Sequence, residues 1–331
     1  MKTPPPDLNP DLIADALANQ WGQRARVLEY APLGFGSHHW TAKTETGERW
    51  FITVDDLLAE QLCPVEDASF RRLQSAFEIA RRLRDHCGLS FVIAPVAMDS
   101  GHLVYRLTDR YAMTLFPHLD VEPSDFGAFT SEKDRVGALR LVGQVHAASQ
   151  HIRTDDVRRD TLEIPGRSAF EETLVDVNRP WIGGPYAEPA RELVREHANG
   201  VREKLERFDH LVRAVYADTS RWVVTHGEPH AGNILRTLEG PQVIVDWDTV
   251  GFAPPERDLR MLVDEEHADW SAYREITGLE VISEQAIEAY RLHWELSEIA
   301  IYLAWCRAPH EDSEEMRIAW MELGKYLRAA G

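Results

Sequence analysis

The chain has 331 residues, 44% of them hydrophobic and 27% charged, which is ample length for two lobes with a core each and an ordinary composition for a globular protein. Its 36 basic and 55 acidic residues leave a formal net charge of −19, which argues against nucleic acid or an anionic membrane as partner and suits a cationic small molecule. Cys63, Cys87 and Cys306 show no C-x-x-C spacing and read as reduced packing residues. With a proline-rich start that lacks a signal-peptide core, and no apolar run of spanning length, the expected location is the cytoplasm.

In chain order, Asp11 reads as the N-cap of a helix to about residue 21, with Leu12, Ile13, Ala16 and Leu17 on one face. A β-rich segment follows, with strands predicted at 25–32, 39–45 and 49–54. A glycine turn, Leu33-Gly34-Phe35-Gly36-Ser37, joins the first two, and Thr46-Gly47 the next two. The spacing of Phe70, Leu73, Phe77, Ala80 and Leu83 predicts a helix over 66–86, stopped by Gly88. Strands are predicted at 91–96, 102–107 and 110–116, then a linker, Pro117-His118-Leu119-Asp120-Val121-Glu122-Pro123, whose prolines and polar residues suit a hinge. The boundary is expected there, giving lobes 1–118 and 119–331. Helices are predicted at 131–148, 188–217, 259–264, 283–306 and 314–330, with Trp294, Trp305 and Trp320 in the core. His146 reads as a satisfied core histidine, and Asp176 carries no chemistry.

The stretch from Trp222 to Asp258 holds the chemistry. Two β-branched runs, 222–225 and 243–245, read as buried strands, and Glu239-Gly240-Pro241 as a hairpin turn. Glu228, Asn233 and Asp246 fall at loop and strand-end positions that burial alone does not call for. Phosphoryl transfer needs a carboxylate to orient the attacking hydroxyl and hard oxygen ligands to hold Mg²⁺ against the phosphates. A carboxylate followed five residues later by Asn, and then by an Asp ending a hydrophobic strand, is the kinase spacing.

These motifs resemble those of the aminoglycoside phosphotransferase family, the antibiotic and choline kinases. The loop pattern H-G-D-x-H-x-x-N stands here as His226-Gly227-Glu228-Pro229-His230-Ala231-Gly232-Asn233, and the metal strand I-D-W-[DE] as Val245-Asp246-Trp247-Asp248. Pro255-Glu256-Arg257-Asp258-Leu259 is similar to the family's P-x-x-D-L, and V-G-Q-V-H ending at His146 to its L-G-x-L-H. The resemblance implies an α+β, bilobal protein-kinase-like fold with a small antiparallel β-rich N-lobe and a larger, mainly helical C-lobe. It implies a small-molecule kinase that uses ATP or GTP with Mg²⁺ and takes an amine-bearing alcohol such as an aminoglycoside or spectinomycin. Glu228 would orient the acceptor hydroxyl, and Asn233 and Asp246 would hold the metal. Gly34, Phe35, Gly36 and Ser37 would cover the phosphates, and backbone at Pro117 and Leu119 would meet the base. His226 would fix the loop, and Asp258 would bond to it.

Two letters depart from the pattern. Glu228 replaces the catalytic Asp and moves the carboxylate by roughly 1–1.5 Å. Thr53 stands where the third strand should carry the lysine that contacts the α- and β-phosphates. Lys43, His38, His39, Arg71 and Arg72 are the cations nearby in sequence, and Glu78, on the helix that normally partners that lysine, reads as a solvated charge. The departures keep a second reading open, a pseudokinase-type binding or regulatory module, and a third, a kinase fold turned to another reaction. The i, i+4 pair His226 and His230 is not read as a zinc site, because Gly227 and Pro229 disfavour a helix there. Asp264, Glu265, Glu266 and Asp269 form either a solvated acidic face or a cation-attracting acceptor pocket walled by Trp270, which Glu295 and Glu298 could join.

Overall fold

The structure is a computed structural model that describes residues 3–34, 36–58, 67–122, 127, 129, 131–264 and 267–329. Of the residues singled out above, Phe35, Cys63, Pro123, Glu265 and Glu266 lie outside this set. The chain divides into two compact units, one formed by residues 1–160 and 222–280 and the other by 161–221 and 281–331. The linker near residue 119 therefore falls inside the first unit.

In the first unit, α1 (Pro10–Trp21) is capped by Asn9, whose Oδ1 accepts the Asp11 N–H at 3.0 Å. Asp11 is thus the second residue of the helix, because Pro10 fits the first helical position and pushes the cap upstream. Five antiparallel strands follow: β1 (Ala25–Ala31), β2 (His38–Thr44), β3 (Arg49–Asp56), β4 (Val104–Arg106) and β5 (Tyr111–Pro117), in the order β1-β2-β3-β5-β4. Their alternation sorts two faces. Trp40, Ala42, Ile52, Val54, Tyr111, Met113 and Leu115 pack with Ile13, Ala16, Leu17 and Trp21 of α1. Residues of opposite parity, among them His39, Thr53 and Thr114, form a cross-strand row on the other face. There α2 (Ala68–Asp85) brings Phe77 edge-on to Phe116, with ring centroids 5.6 Å apart.

Residues 91–96 are not a strand. Pro95 lacks a donor, and the neighbouring backbone groups leave the sheet, with Ile93 N–H donating to Ile244 C=O at 2.9 Å and Ile244 N–H to Phe91 C=O at 2.8 Å.

The rest of the first unit starts with α3 (Glu132–Ala148), capped by Ser131. Two small strand pairs follow later in the chain. In one, β6 (Val223–Thr225) pairs with β9 (Gly251–Ala253); in the other, β7 (Ile234–Arg236) pairs with β8 (Gln242–Ile244) across the expected turn. The linker runs along β7, through Glu122 N–H to Arg236 C=O and Leu238 N–H to Asp120 C=O, each 2.9 Å. The helix expected at 259–264 starts earlier and is short, α6 (Glu256–Leu259). A further helix with no strong sequence signal, α7 (Ser271–Thr277), is ended by Gly278 at φ 69°.

The second unit is helical: α4 (Arg167–Val175), α5 (Ala187–Ala217), α8 (Glu284–Arg307) and α9 (Glu314–Arg328), with α5 and α9 both packed on α8. Its core includes Leu296, Ile299, Ala300 and Leu303, together with Trp181, and not the three tryptophans expected there. Trp305 is 42% exposed, Trp294 is half-buried and donates to Tyr326 Oη at 3.1 Å, and Trp320 stacks on Tyr186. The polar edge of an indole needs a partner, so the outer layer suits it better than an aliphatic core. No helix among the described residues is long and apolar enough to cross a membrane.

Candidate functional site

The loop after β6 is held from beneath. Asp258, at the start of α6, accepts the N–H groups of His226 (2.8 Å) and Gly227 (2.6 Å) and meets His146 Nε2 at 3.0 Å. His146 Nδ1 in turn meets Tyr273 Oη at 2.7 Å. Burial alone would raise the Asp258 pKa, but the bond and charge of His146, with Arg257 and His226, bring it down to about 2. The carboxylate is therefore ionised and saturated with donors, as the sequence led one to expect.

Two features fix the path of the loop. The His226 ring bridges it, with Nε2 donating to Val245 C=O (2.8 Å) and Nδ1 accepting from Glu228 N–H (3.2 Å). Burial lowers its pKa, which suits this neutral tautomer. His230 Nδ1 accepts from Gly232 N–H, so both histidines serve the loop itself. Gly227 has φ 105°, and a Cβ there would lie 2.7 Å from the Arg257 guanidinium. That guanidinium is itself fixed on Thr225 Oγ1 and Thr249 C=O.

The β7–β8 register sets Asn233 beside the metal strand. Ile234 pairs with Ile244, and Val245 N–H donates to Asn233 C=O at 2.9 Å. The Asn233 side chain donates from Nδ2 to Glu228 C=O at 3.1 Å, and among the described residues its Oδ1 has no donor. One amide thus ties Glu228 to the position from which an oxygen can face a cation. Trp247 is fully buried, with Nε1 on Ile244 C=O, and this anchors the strand end from which Asp246 and Asp248 project.

Asp246 sits at φ 64°, a left-handed conformation that Asp tolerates better than most residues but that still costs about 1 kcal/mol. Its residue surface is exposed, yet desolvation of the carboxyl group, with Asp248, Glu228 and Asp55 nearby, raises its pKa well above the usual carboxylate value. Crowded carboxylates beside a free amide oxygen are hard ligands whose repulsion a divalent cation relieves. Asn233 and Asp246 therefore fit Mg²⁺. Among the described residues no group of three or more His, Cys, Asp or Glu is arranged to hold a metal ion.

On the sheet, Gly34 (φ 60°) and Gly36 (φ 97°) form the turn, and Ser37 Oγ donates to Asp55 Oδ1 at 2.5 Å. Thr53 lies in one cross-strand row with His39 and Thr114, and His39 Nδ1, Thr53 Oγ1 and Thr114 Oγ1 are all buried without a hydrogen-bond partner. Burial brings the His39 pKa down to about 4, so the ring is neutral at neutral pH. Pro117 ends β5 opposite Trp50, and Leu119 follows in the linker, where Arg49 forks onto Asp120.

Sequence reasoning missed Asp55. It lies two residues beyond Thr53 and hence on the same face, and desolvation, offset by Ser37 and reinforced by Asp248, pushes its pKa up to about 7. The period-2 alternation was the available signal.

The acidic stretch is engaged locally. Asp264 accepts from His267 N–H and Nδ1, Asp269 accepts from Ser271 N–H, and Arg135 donates to the carbonyls of Leu262 and Asp269. Trp270 precedes α7 with its ring 6.4 Å from Tyr273, the residue that supports His146. In the second unit Glu295 pairs with Lys204, and burial raises the Glu298 pKa against a bond from Tyr302.

A family model described as the phosphotransferase enzyme family matches residues 30–300. Protein StrN of Streptomyces griseus is 26% identical over 324 residues, which cover 94% of this chain and 96% of that protein. Among solved structures, a spectinomycin phosphotransferase in complex with ADP and spectinomycin matches with a TM-score of 0.77 at 16% identity, over 98% of both chains. A microcompartment-associated aminopropanol kinase matches at 0.64 and 14%, over 97% of this chain and 95% of that one. At such identities the likeness is one of fold: a small antiparallel lobe followed by a mainly helical one, of the protein-kinase-like type.

Proposed function

The chain belongs to the phosphotransferase enzyme family, and from that premise we propose that it transfers the γ-phosphate of ATP or GTP to a hydroxyl of a small cationic molecule of the aminoglycoside or spectinomycin type. The observation that supports the reading most is the joining of Glu228, Asn233 and Asp246 through the β7–β8 register and the Asn233 amide.

In this reading Glu228 accepts a hydrogen bond from the acceptor hydroxyl and aims its oxygen at the γ-phosphorus. Positioning is the larger part of catalysis for a loose transition state. Asn233 Oδ1 and the Asp246 carboxylate hold Mg²⁺, which when bound neutralises charge on the β- and γ-phosphate oxygens. Gly34, Gly36 and Ser37 approach the phosphates with backbone N–H groups, and Ser37 is held in place by Asp55. The net charge of −19 supports a cationic acceptor, as does the printed ligand of the spectinomycin phosphotransferase. Asp264, Glu265, Glu266 and Trp270 are the residues proposed to face it.

The unpartnered Thr53 hydroxyl and the longer Glu228 favour the second reading, a module that binds nucleotide without transfer. Calorimetry with MgATP and MgGTP, followed by phosphate transfer onto a panel of amino sugars, separates the two. Binding with transfer to any amino sugar is the expected result. Binding without transfer selects the module, and no binding of either nucleotide removes the kinase reading.

A further inference from the structure

Kinases of this fold use a lysine on the third strand, held by an acid on the following helix, to contact the α- and β-phosphates. Here neither residue is where it should be. Thr53 stands on β3 with its hydroxyl buried and unpartnered, and Glu78 on α2 is exposed. The two charges are nevertheless present in the same region, exchanged between the elements. Asp55 lies on the Thr53 face of β3, with Oδ1 on Ser37 of the glycine turn and Oδ2 buried without a partner. Arg72, near the start of α2, is half-buried on the helix face that carries the buried Ala76 and Ile79, has its guanidinium Nε enclosed by protein, and stands within electrostatic reach of both Asp55 and Asp248.

The other candidate cations are elsewhere. Lys43 is exposed at the far end of β2, opposite Arg49. His38 points to the opposite face of β2 and bonds Tyr30 Oη, and His39 is neutral. Arg71 is exposed on α2.

We propose that Arg72 supplies from the helix the positive charge that contacts the α- and β-phosphates, with Asp55 as its strand-borne partner, so that the usual pair is present with its polarity reversed. The planar guanidinium gives this position two parallel donors where a lysine would give one point of charge. Asp55 then has a double task, fixing Ser37 over the phosphates and orienting the cation beside them. The inference rests on the kinase reading.

Calorimetry of the full chain with MgADP, MgATP and adenosine tests it. A charge-assisted phosphate contact is worth about 10- to 100-fold in affinity. Arg72→Gln is expected to weaken MgADP by that factor and leave adenosine within about twofold, and Lys43→Gln to change neither. Thr53→Lys in the Arg72→Gln background is expected to recover part of the loss by restoring a cation from the strand. Unchanged MgADP affinity in Arg72→Gln overturns the proposal, as does equal weakening of MgADP and adenosine, which marks a structural role. Should that variant not fold, Arg72→Met keeps the stem and the same ratio is read on it. A wild-type chain that binds no nucleotide sinks the kinase reading and this inference together, whereas wild-type binding that is indifferent to Arg72 sinks this inference alone.

Discussion

His146 and Asp258 lie 112 residues apart in sequence and meet at 3.0 Å directly beneath the loop that carries Glu228. The same carboxylate holds two consecutive backbone N–H groups of that loop, so its charge sets the shape of the loop. Asp258 is depressed to about 2 in the folded chain, against about 3.9 for a free Asp. Its contribution is therefore complete above about pH 4 and lost as pH falls through about 2. The shift corresponds to about 2–3 kcal/mol. Asp258→Asn is expected to lower stability at pH 7 by at least that order and to flatten the dependence of stability on pH between 4 and 2, read by urea denaturation at several pH values.

Gly227→Ala tests the same loop from the opposite side. The left-handed φ and the approach to Arg257 are expected to cost about 2 kcal/mol or more. Thermal unfolding should shift by several degrees, and transfer activity should fall further than stability, because the displaced segment carries Glu228.

Glu228→Gln keeps the size of the side chain and removes the charge. Turnover is expected to fall by about 10³-fold or more while nucleotide affinity stays within a few-fold. Glu228→Asp draws the carboxylate back by roughly 1–1.5 Å and should also lose at least about tenfold if the acceptor hydroxyl lies where the longer stem reaches. Steady-state kinetics with a reactive amino sugar checks both, and undiminished turnover in Glu228→Gln removes the residue from its proposed role.

Asn233→Ala and Asp246→Ala should separate in a Mg²⁺ titration. Both are expected to raise the half-saturating Mg²⁺ concentration by about tenfold or more. Asn233→Ala should also lower kcat at saturating Mg²⁺, because its Nδ2 bond to Glu228 C=O is lost. Equal Mg²⁺ dependence in the wild type and both variants would contradict the assignment.

What could be read ahead of the structure was local. Short-range spacing fixes the glycine turn, the turn at 239–241 and the order of Glu228, Asn233 and Asp246, because each depends on residues within a few positions, whereas the strand β7 was not among the expected elements. The misses have non-local causes. Residues 91–96 look like a strand until Ile93 and Phe91 bond to Ile244, some 150 residues away. The helix α7 is held by its packing on α3, which propensity does not reveal. Asp11 looks like a cap in the sequence, and Asn9 takes that place because Pro10 fits the first helical position. Asp55 belongs to no motif and stands two positions beyond the strand residue where a lysine is expected, so only its shared face with Thr53 marks it.

The linker between residues 117 and 122 has a consequence of its own. It is laced to β7 by two backbone bonds and to β3 by the Arg49–Asp120 fork, while residues 91–93 clasp β8 from its other edge. A segment fastened along both borders behaves as a rail and not as a swivel. An incoming purine would find that edge already laid out, and little ordering entropy would remain to be lost on arrival.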